Sequence, residues 1–199
     1  MHLRASPDRW QTLQPGDALI IVDVQNDFLP GGALAVPHGD EVIAPLNGYL
    51  REYARLHLPV FATRDWHPPG HCSFHEQGGP WPPHCVAGTE GAELASGVRL
   101  PGSTRVISKA TRPESDAYSA FQGTDLAQQL HDAGVTRVLI GGLATDYCVR
   151  ATALDALRAG LDTRVYVGLT AGVSPATTLQ AVRDLRAAGA EIIDSGLPG

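Results

Sequence analysis

Cysteine is scarce in this chain. Only Cys72, Cys85 and Cys148 occur among 199 residues, an odd number with no CxxC pair. A disulfide framework is a poor reading of that pattern, and a reducing, cytoplasmic setting a good one. Long apolar runs are lacking too, since none approaches the roughly 20 residues that a bilayer span requires. Residues 1–15 have polar residues distributed throughout and no apolar signal-peptide core, so they read as an N-terminal extension or a surface-docked arm. Basic clusters are also missing. Lys and Arg number 15 against 21 Asp and Glu, a formal net charge of −6. That balance argues against nucleic acid or an anionic membrane as partner. Neither an internal repeat nor a low-complexity tract is present.

What is there has an ordinary globular composition, 43% apolar, over a length that suits a single domain, 1–199, with a full core. Short apolar runs recur at 18–23, 59–63, 105–109, 137–142, 164–168 and 190–194. Most are rich in Val and Ile, as strands buried on both faces should be. Between them lie helical patterns. Val42, Ile43, Leu46, Leu50 and Tyr53 form one stripe, which puts Pro45 near the first turn. Leu126, Leu130 and Ala133 form another, stopped by Gly134. A third helix begins near Thr145 and closes at Gly160. The last has Ser174 as N-cap, Pro175 at the first helical position and Gly189 just past the end. Alternating strands and helices predict an α/β fold, a parallel sheet with helices on both faces. The stretch 64–102 breaks this rhythm with many Pro and Gly, and a loop this long in a compact domain is usually functional.

Ligands of open α/β sheets sit beyond the carboxyl ends of the strands. The residues at those ends are Asp23, Asp65 with His67, Lys109, and Cys148 one turn into a helix. A lone cysteine in an apolar run is usually a small buried hydrophobe. Cys148, however, lies where a strand enters a helix, after Gly141 and Gly142. Backbone N–H groups there favour a thiolate and an oxyanion, and paired glycines let a substrate approach the backbone. Asp23 supplies a carboxylate for proton transfer and Lys109 a cation for the thiolate. Each has a plainer reading, Asp23 as a strand end and Lys109 as an exposed edge charge. Asp65, His67 and the more distant His84 have the chemistry of a Zn²⁺ or Fe²⁺ site with open positions. His71, Ser73, His75 and Glu76 lie nearby in sequence. Local hydrogen bonding of loop histidines is the bland alternative, and a zinc knuckle through Cys72 and Cys85 a third.

Five segments share an order with a known group: Ile20-Ile21-Val22-Asp23-Val24-Gln25-Asn26-Asp27-Phe28, Gly31-Gly32-Ala33-Leu34-Ala35-Val36, Asp65-Trp66-His67-Pro68, Trp81-Pro82-Pro83-His84-Cys85-Val86, and Ala144-Thr145-Asp146-Tyr147-Cys148-Val149. From about residue 16 to residue 194 the chain resembles the nicotinamidases (pyrazinamidases) of the isochorismatase-like cysteine hydrolases. The resemblance implies a three-layer α/β/α fold on six parallel strands, and hydrolysis of nicotinamide to nicotinate and ammonia through a Cys148 thioester, in NAD salvage. Pyrazinamide is then a second substrate. It also implies a triad of Asp23, Lys109 and Cys148, an oxyanion hole from the N–H groups of Ala144 and Cys148, and a cis peptide at Leu143–Ala144. Walls around the ring fall to Phe28, Leu34, Trp81, Tyr118 and Tyr147. One divalent ion, Zn²⁺ before Fe²⁺ or Mn²⁺, falls to Asp65, His67 and His84, with Ser73, His75, Glu76 or water as the fourth ligand. The partner is a small molecule, and a homo-oligomer is compatible. Two rival readings are a metal-free relative acting on another small amide or carbamoyl compound, and a non-catalytic binding module.

Overall fold

The computed structural model describes residues 13–193. Residues 1–12 of the expected N-terminal extension, and Asp194 at the end of the last expected strand, lie outside them. Six strands form one sheet: β1 (Asp17–Val22), β2 (Val60–Asp65), β3 (Arg105–Lys109), β4 (Arg137–Leu143), β5 (Asp162–Ala171) and β6 (Glu191–Ile193). All pairings are parallel, in the order β3-β2-β1-β4-β5-β6. Four helices connect them: α1 (Ile43–Arg55), α2 (Leu126–Asp132), α3 (Arg150–Arg158) and α4 (Pro175–Ala187). The expected three-layer α/β/α architecture is therefore present. No helix among the described residues is long and apolar enough to cross a membrane.

The central strand shows why the layers form. Every residue of β1 is buried, and its side chains alternate between faces. Leu19 and Ile21 join a core with Leu46, Leu50 and Tyr53 of α1. Ala18, Ile20 and Val22 join the other core, with Leu126 and Leu130 of α2, Ala153 and Ala156 of α3, and Leu185 of α4. Each fully buried Leu or Ile contributes about 1.5–3 kcal/mol relative to exposure, so both helical layers are fastened to the same strand. Pro45, third in α1, sits where its missing N–H has no helical acceptor to lose. At α4, Ser174 Oγ accepts from the Thr177 N–H at 3.2 Å and Pro175 follows it.

One expectation needs correcting. The helix predicted to start at Thr145 does not open as an α-helix. Residues Thr145–Val149 form a wide π-type turn, and α3 begins only at Arg150. The Ala144 carbonyl accepts from the Tyr147 and Val149 N–H groups, at 3.0 and 3.1 Å. Turns of this kind concentrate at functional sites. The paired glycines before it also let the sheet pack closely. A Cβ on Gly142, at φ +118°, would lie 2.0 Å from the Val22 carbonyl oxygen, and one on Gly141 would meet Leu169.

Candidate active site

The sheet reverses direction of winding between β1 and β4, where a crevice opens at the carboxyl edge. Four adjacent strands deliver one chemical group each to that edge. Asp65 and Lys109 end β2 and β3 in register with each other. Asp23 follows β1 in the left-handed region, φ 49°, which turns its side chain out of strand geometry. Cys148 comes from the wide turn after β4. The Leu143–Ala144 peptide before that turn is cis.

Asp23, Lys109 and Cys148 are all buried. Lys109 Nζ donates to Asp65 Oδ1 at 2.5 Å, to the Ala117 carbonyl at 3.1 Å and to the Cys148 sulfur at 3.4 Å. Asp23 Oδ2 forms an ion pair with the same nitrogen at 2.9 Å. Asp23 Oδ1 accepts from Thr63 Oγ1 at 2.6 Å.

Burial works against the Lys109 charge, yet Asp23 and Asp65 outweigh it and hold the ammonium well above its usual range. Burial also pushes the Asp23 carboxyl up, with Asp65 adding to the push and Lys109 opposing it. For Asp65 burial is outweighed by Lys109 and His67, and its carboxyl stays below the ordinary range. Burial pushes the Cys148 thiol well up; Lys109 draws it down, while Asp23 and Asp65 raise it further. Burial and the two carboxylates thus favour a resting thiol over a thiolate, since Lys109 is shared with both carboxylates. A thiol clustered with a carboxylate can give up its proton at the moment of attack.

A second donor set adjoins the first. Ligand atoms of Asp65, His67 and His84 all lie within 4.8 Å of one another. Both ring nitrogens of His67 are buried without a hydrogen-bond partner, an arrangement that costs free energy unless a further group binds them. His84 Nδ1 donates to the Pro82 carbonyl at 2.7 Å, which leaves Nε2 with a free lone pair, as in metal-ligating histidines. Asp65 offers Oδ1 to Lys109 and Oδ2 toward His67, at 3.7 Å. These residues fit a divalent cation. Of the side chains considered for a fourth ligand, Ser73 Oγ pairs with His71 Nδ1 at 2.8 Å, His75 Nδ1 pairs with the Gly79 carbonyl, and Glu76 is exposed. Cys85 is buried and its thiol pushed far up by burial, first, and by Asp65. Neither Cys72 nor Cys85 joins a metal-type cluster among the described residues, so the zinc-knuckle reading fails.

The two sets meet in one cleft of about 510 Å³, partly open to solvent. Phe28, Leu34, Trp81, Tyr118, Ala144, Tyr147 and Cys148 line it, with Asp65 and His84 at one side. Trp81 and Tyr147 meet edge to face at 5.2 Å, and Trp81 Nε1 donates to the Tyr118 hydroxyl at 3.0 Å. Asp23 and Lys109 adjoin Cys148 and Asp65, and His67 adjoins Asp65 and His84, whereas Ser73, His75 and Glu76 are not among the residues that line the cleft.

Sequence reading did not single out four supporting groups. Gln25, fully buried, accepts from the Asp65 N–H and donates to the Asp65 and Ala92 carbonyls, all at 2.8 Å. Asp27 accepts the Cys85 N–H at 2.7 Å and so fixes the segment after His84. Thr63 and the Ala117 carbonyl hold Asp23 and Lys109. Gln25 and Asp27 stood in the polar cluster after β1, a usable signal; a backbone carbonyl leaves none.

Residues 17–196 match the isochorismatase domain family. The nicotinamidase/pyrazinamidase of Mycobacterium tuberculosis is 46% identical over 186 residues, 89% of this chain and 98% of that protein. Among solved structures, the pyrazinamidase of Pyrococcus horikoshii in complex with zinc has a TM-score of 0.88 at 49% identity, covering 91% of this chain and 100% of that one. PnC1 from L. infantum in complex with nicotinate gives 0.83 at 40% identity, covering 90% and 93%. The chain belongs to the isochorismatase family.

Proposed function

We propose that this chain hydrolyses nicotinamide to nicotinate and ammonia, accepts pyrazinamide as a near-isostere, and works as one domain in the cytoplasm. The observation that carries the reading is one cleft with two ends. A buried thiol, shared lysine and buried carboxylate stand at one end, and an Asp/His/His donor set at the other. Flat aromatic walls between them suit a flat ring that bears an amide. The nicotinate-bound and zinc-bound relatives support this choice of substrate and of ion.

Asp65, His67 and His84 would hold the ion, Zn²⁺ before other divalent metals. When bound, it supplies a Lewis-acid anchor for a ring nitrogen or for water. Everything else falls to the chain. The walls hold the ring so that the amide carbon faces Cys148. Asp23 Oδ2 takes the thiol proton as sulfur attacks, and Lys109 offsets the negative charge that moves among sulfur and the two carboxylates. The oxyanion rests on the N–H groups of Ala144 and Cys148. Asp23 returns the proton to the departing nitrogen, ammonia leaves, and a thioester remains on Cys148. Asp23 then takes a proton from water as it attacks the thioester, releasing the acid and restoring the thiol.

Ammonia release from nicotinamide, pyrazinamide and benzamide, each with and without a chelator that empties the metal site, tests the reading. Expected is strong turnover of the two ring-nitrogen amides, lost with the metal, and poor turnover of benzamide throughout. Full nicotinamide turnover from metal-free protein overturns the metal's role. No turnover from metal-loaded protein overturns the substrate.

A further inference from the structure

The wide turn that carries Cys148 is gripped from outside the cleft, at two points placed symmetrically about the nucleophile. Two residues before it, the Asp146 carboxylate accepts the Val173 N–H through both oxygens, at 3.0 and 3.2 Å, and the Thr177 hydroxyl at 2.5 Å. Two residues after it, Arg150 pairs with Asp184 at 2.8 Å. All of these partners belong to α4 or to the loop that leads into it. Thr177 is itself held by the Ser174 hydroxyl at 2.7 Å, so Asp146 is tied into the cap of α4. Space is tight here: a Cβ on Gly172 would fall 1.9 Å from Thr178 Oγ1 and 3.2 Å from Asp146 Oδ1.

The two grips differ in what they connect. Arg150 and Asp184 join two helix surfaces and touch nothing in the cleft. Asp146 joins the nucleophile's turn to Val173, and Val173 lines the same cleft as Cys148. A π-type turn closes a longer hydrogen-bonded loop than an α-turn and is found mostly as a single turn, frequently at functional sites. We propose that Asp146 is a positioning residue for hydrolysis, setting where Cys148 stands relative to Val173, Lys109 and Asp23 by locking the turn onto the start of α4. This rests on the nicotinamidase reading for its turnover readout but not for its structural one.

The test uses full-length, metal-loaded Asp146→Ala, Asp146→Asn, Thr177→Val and Arg150→Gln. Misplacing a reacting group by about 1 Å costs up to about 100-fold in rate, so Asp146→Ala is expected to lose roughly 10- to 100-fold in kcat with KM for nicotinamide changed less than about 3-fold. Asp146→Asn keeps an oxygen for the Val173 N–H and should recover part of the loss. Thr177→Val should show a smaller loss of the same kind, and Arg150→Gln should leave kcat within about 2-fold while lowering thermal stability. Hydrogen exchange gives the second readout. Amides of 145–150 should exchange faster in Asp146→Ala, with those of β1 and β4 unchanged. Unchanged exchange in that segment, or a fall in kcat matched by Arg150→Gln, overturns the proposal. If wild-type protein fails to turn over nicotinamide, the substrate reading falls alone, and the exchange result still decides the role of Asp146.

Discussion

Lys109 Nζ stands 2.9 Å from Asp23 Oδ2 and 3.4 Å from the Cys148 sulfur. The same ammonium also donates to Asp65 and to the Ala117 carbonyl. Burial pushes the Asp23 carboxyl up, and Lys109 opposes the rise. One cation thus acts on both the proposed base and the thiol, and this relationship governs the first two expected outcomes.

Asp23→Asn and Lys109→Met should each abolish most turnover yet move the reactivity of Cys148 in opposite directions. Lys109 draws the thiol's ionisation down, whereas Asp23 pushes it up. At mildly alkaline pH, iodoacetamide should therefore modify Cys148 faster in Asp23→Asn and slower in Lys109→Met than in wild type. Peptide mapping separates Cys148 from Cys72 and Cys85. Shifts of one sign in both variants would mean that the lysine and the aspartate do not act on the thiol as charges.

Thr63→Val tests the other oxygen of Asp23. The hydroxyl, donating at 2.6 Å, is one of the contacts that lower the Asp23 carboxyl. Without it the carboxyl rises further, so its basic form is lost at a higher pH as acid is added. The acid limb of the kcat profile should shift to higher pH, and kcat should fall by roughly 10-fold, the scale of one charge-assisted hydrogen bond. An unmoved limb would assign that limb to another group.

Lys109→Met also removes an ammonium that pairs with two buried carboxylates. Breaking a buried ion network this way costs about 3–5 kcal/mol. Urea unfolding of the metal-loaded protein should show a loss of that order, and rates must be taken per folded molecule. A loss below about 1 kcal/mol would show that water reaches the carboxylates freely.

His67→Ala should release the metal while leaving the nucleophile in place. The two sets lie on different segments, His67 beyond β2 and Cys148 beyond β4. Metal content should drop, and Cys148 should still react with iodoacetamide within about 3-fold of wild type. Nicotinamide should lose more turnover than benzamide, which has no ring nitrogen. Equal losses for both amides would remove the proposed role of the ion in holding the ring.

Much of this site is legible in the sequence because the fold places it at strand ends. Once 18–23, 59–63, 105–109 and 137–142 read as parallel strands, Asp23, Asp65, Lys109 and the segment leading to Cys148 must share an edge. Ser174, Pro175 and Gly189 marked α4 for equally local reasons. Three things were hidden. The order of the strands depends on which helices cross which face, and no single segment encodes that. The π-type turn at Thr145–Val149 carries the same apolar spacing as an ordinary helix start. The ionisation of Cys148 depends on its burial and on one lysine shared with Asp23 and Asp65, which only the packed structure decides.

The most direct test of the whole scheme is to quench metal-loaded wild-type protein with acid during turnover of nicotinamide and to map the cysteine peptides by mass spectrometry. Expected is a nicotinoyl thioester on the Cys148 peptide alone, absent from Cys148→Ala, which should fold as wild type and release no ammonia. Substantial ammonia release by folded Cys148→Ala contradicts Cys148 as the nucleophile.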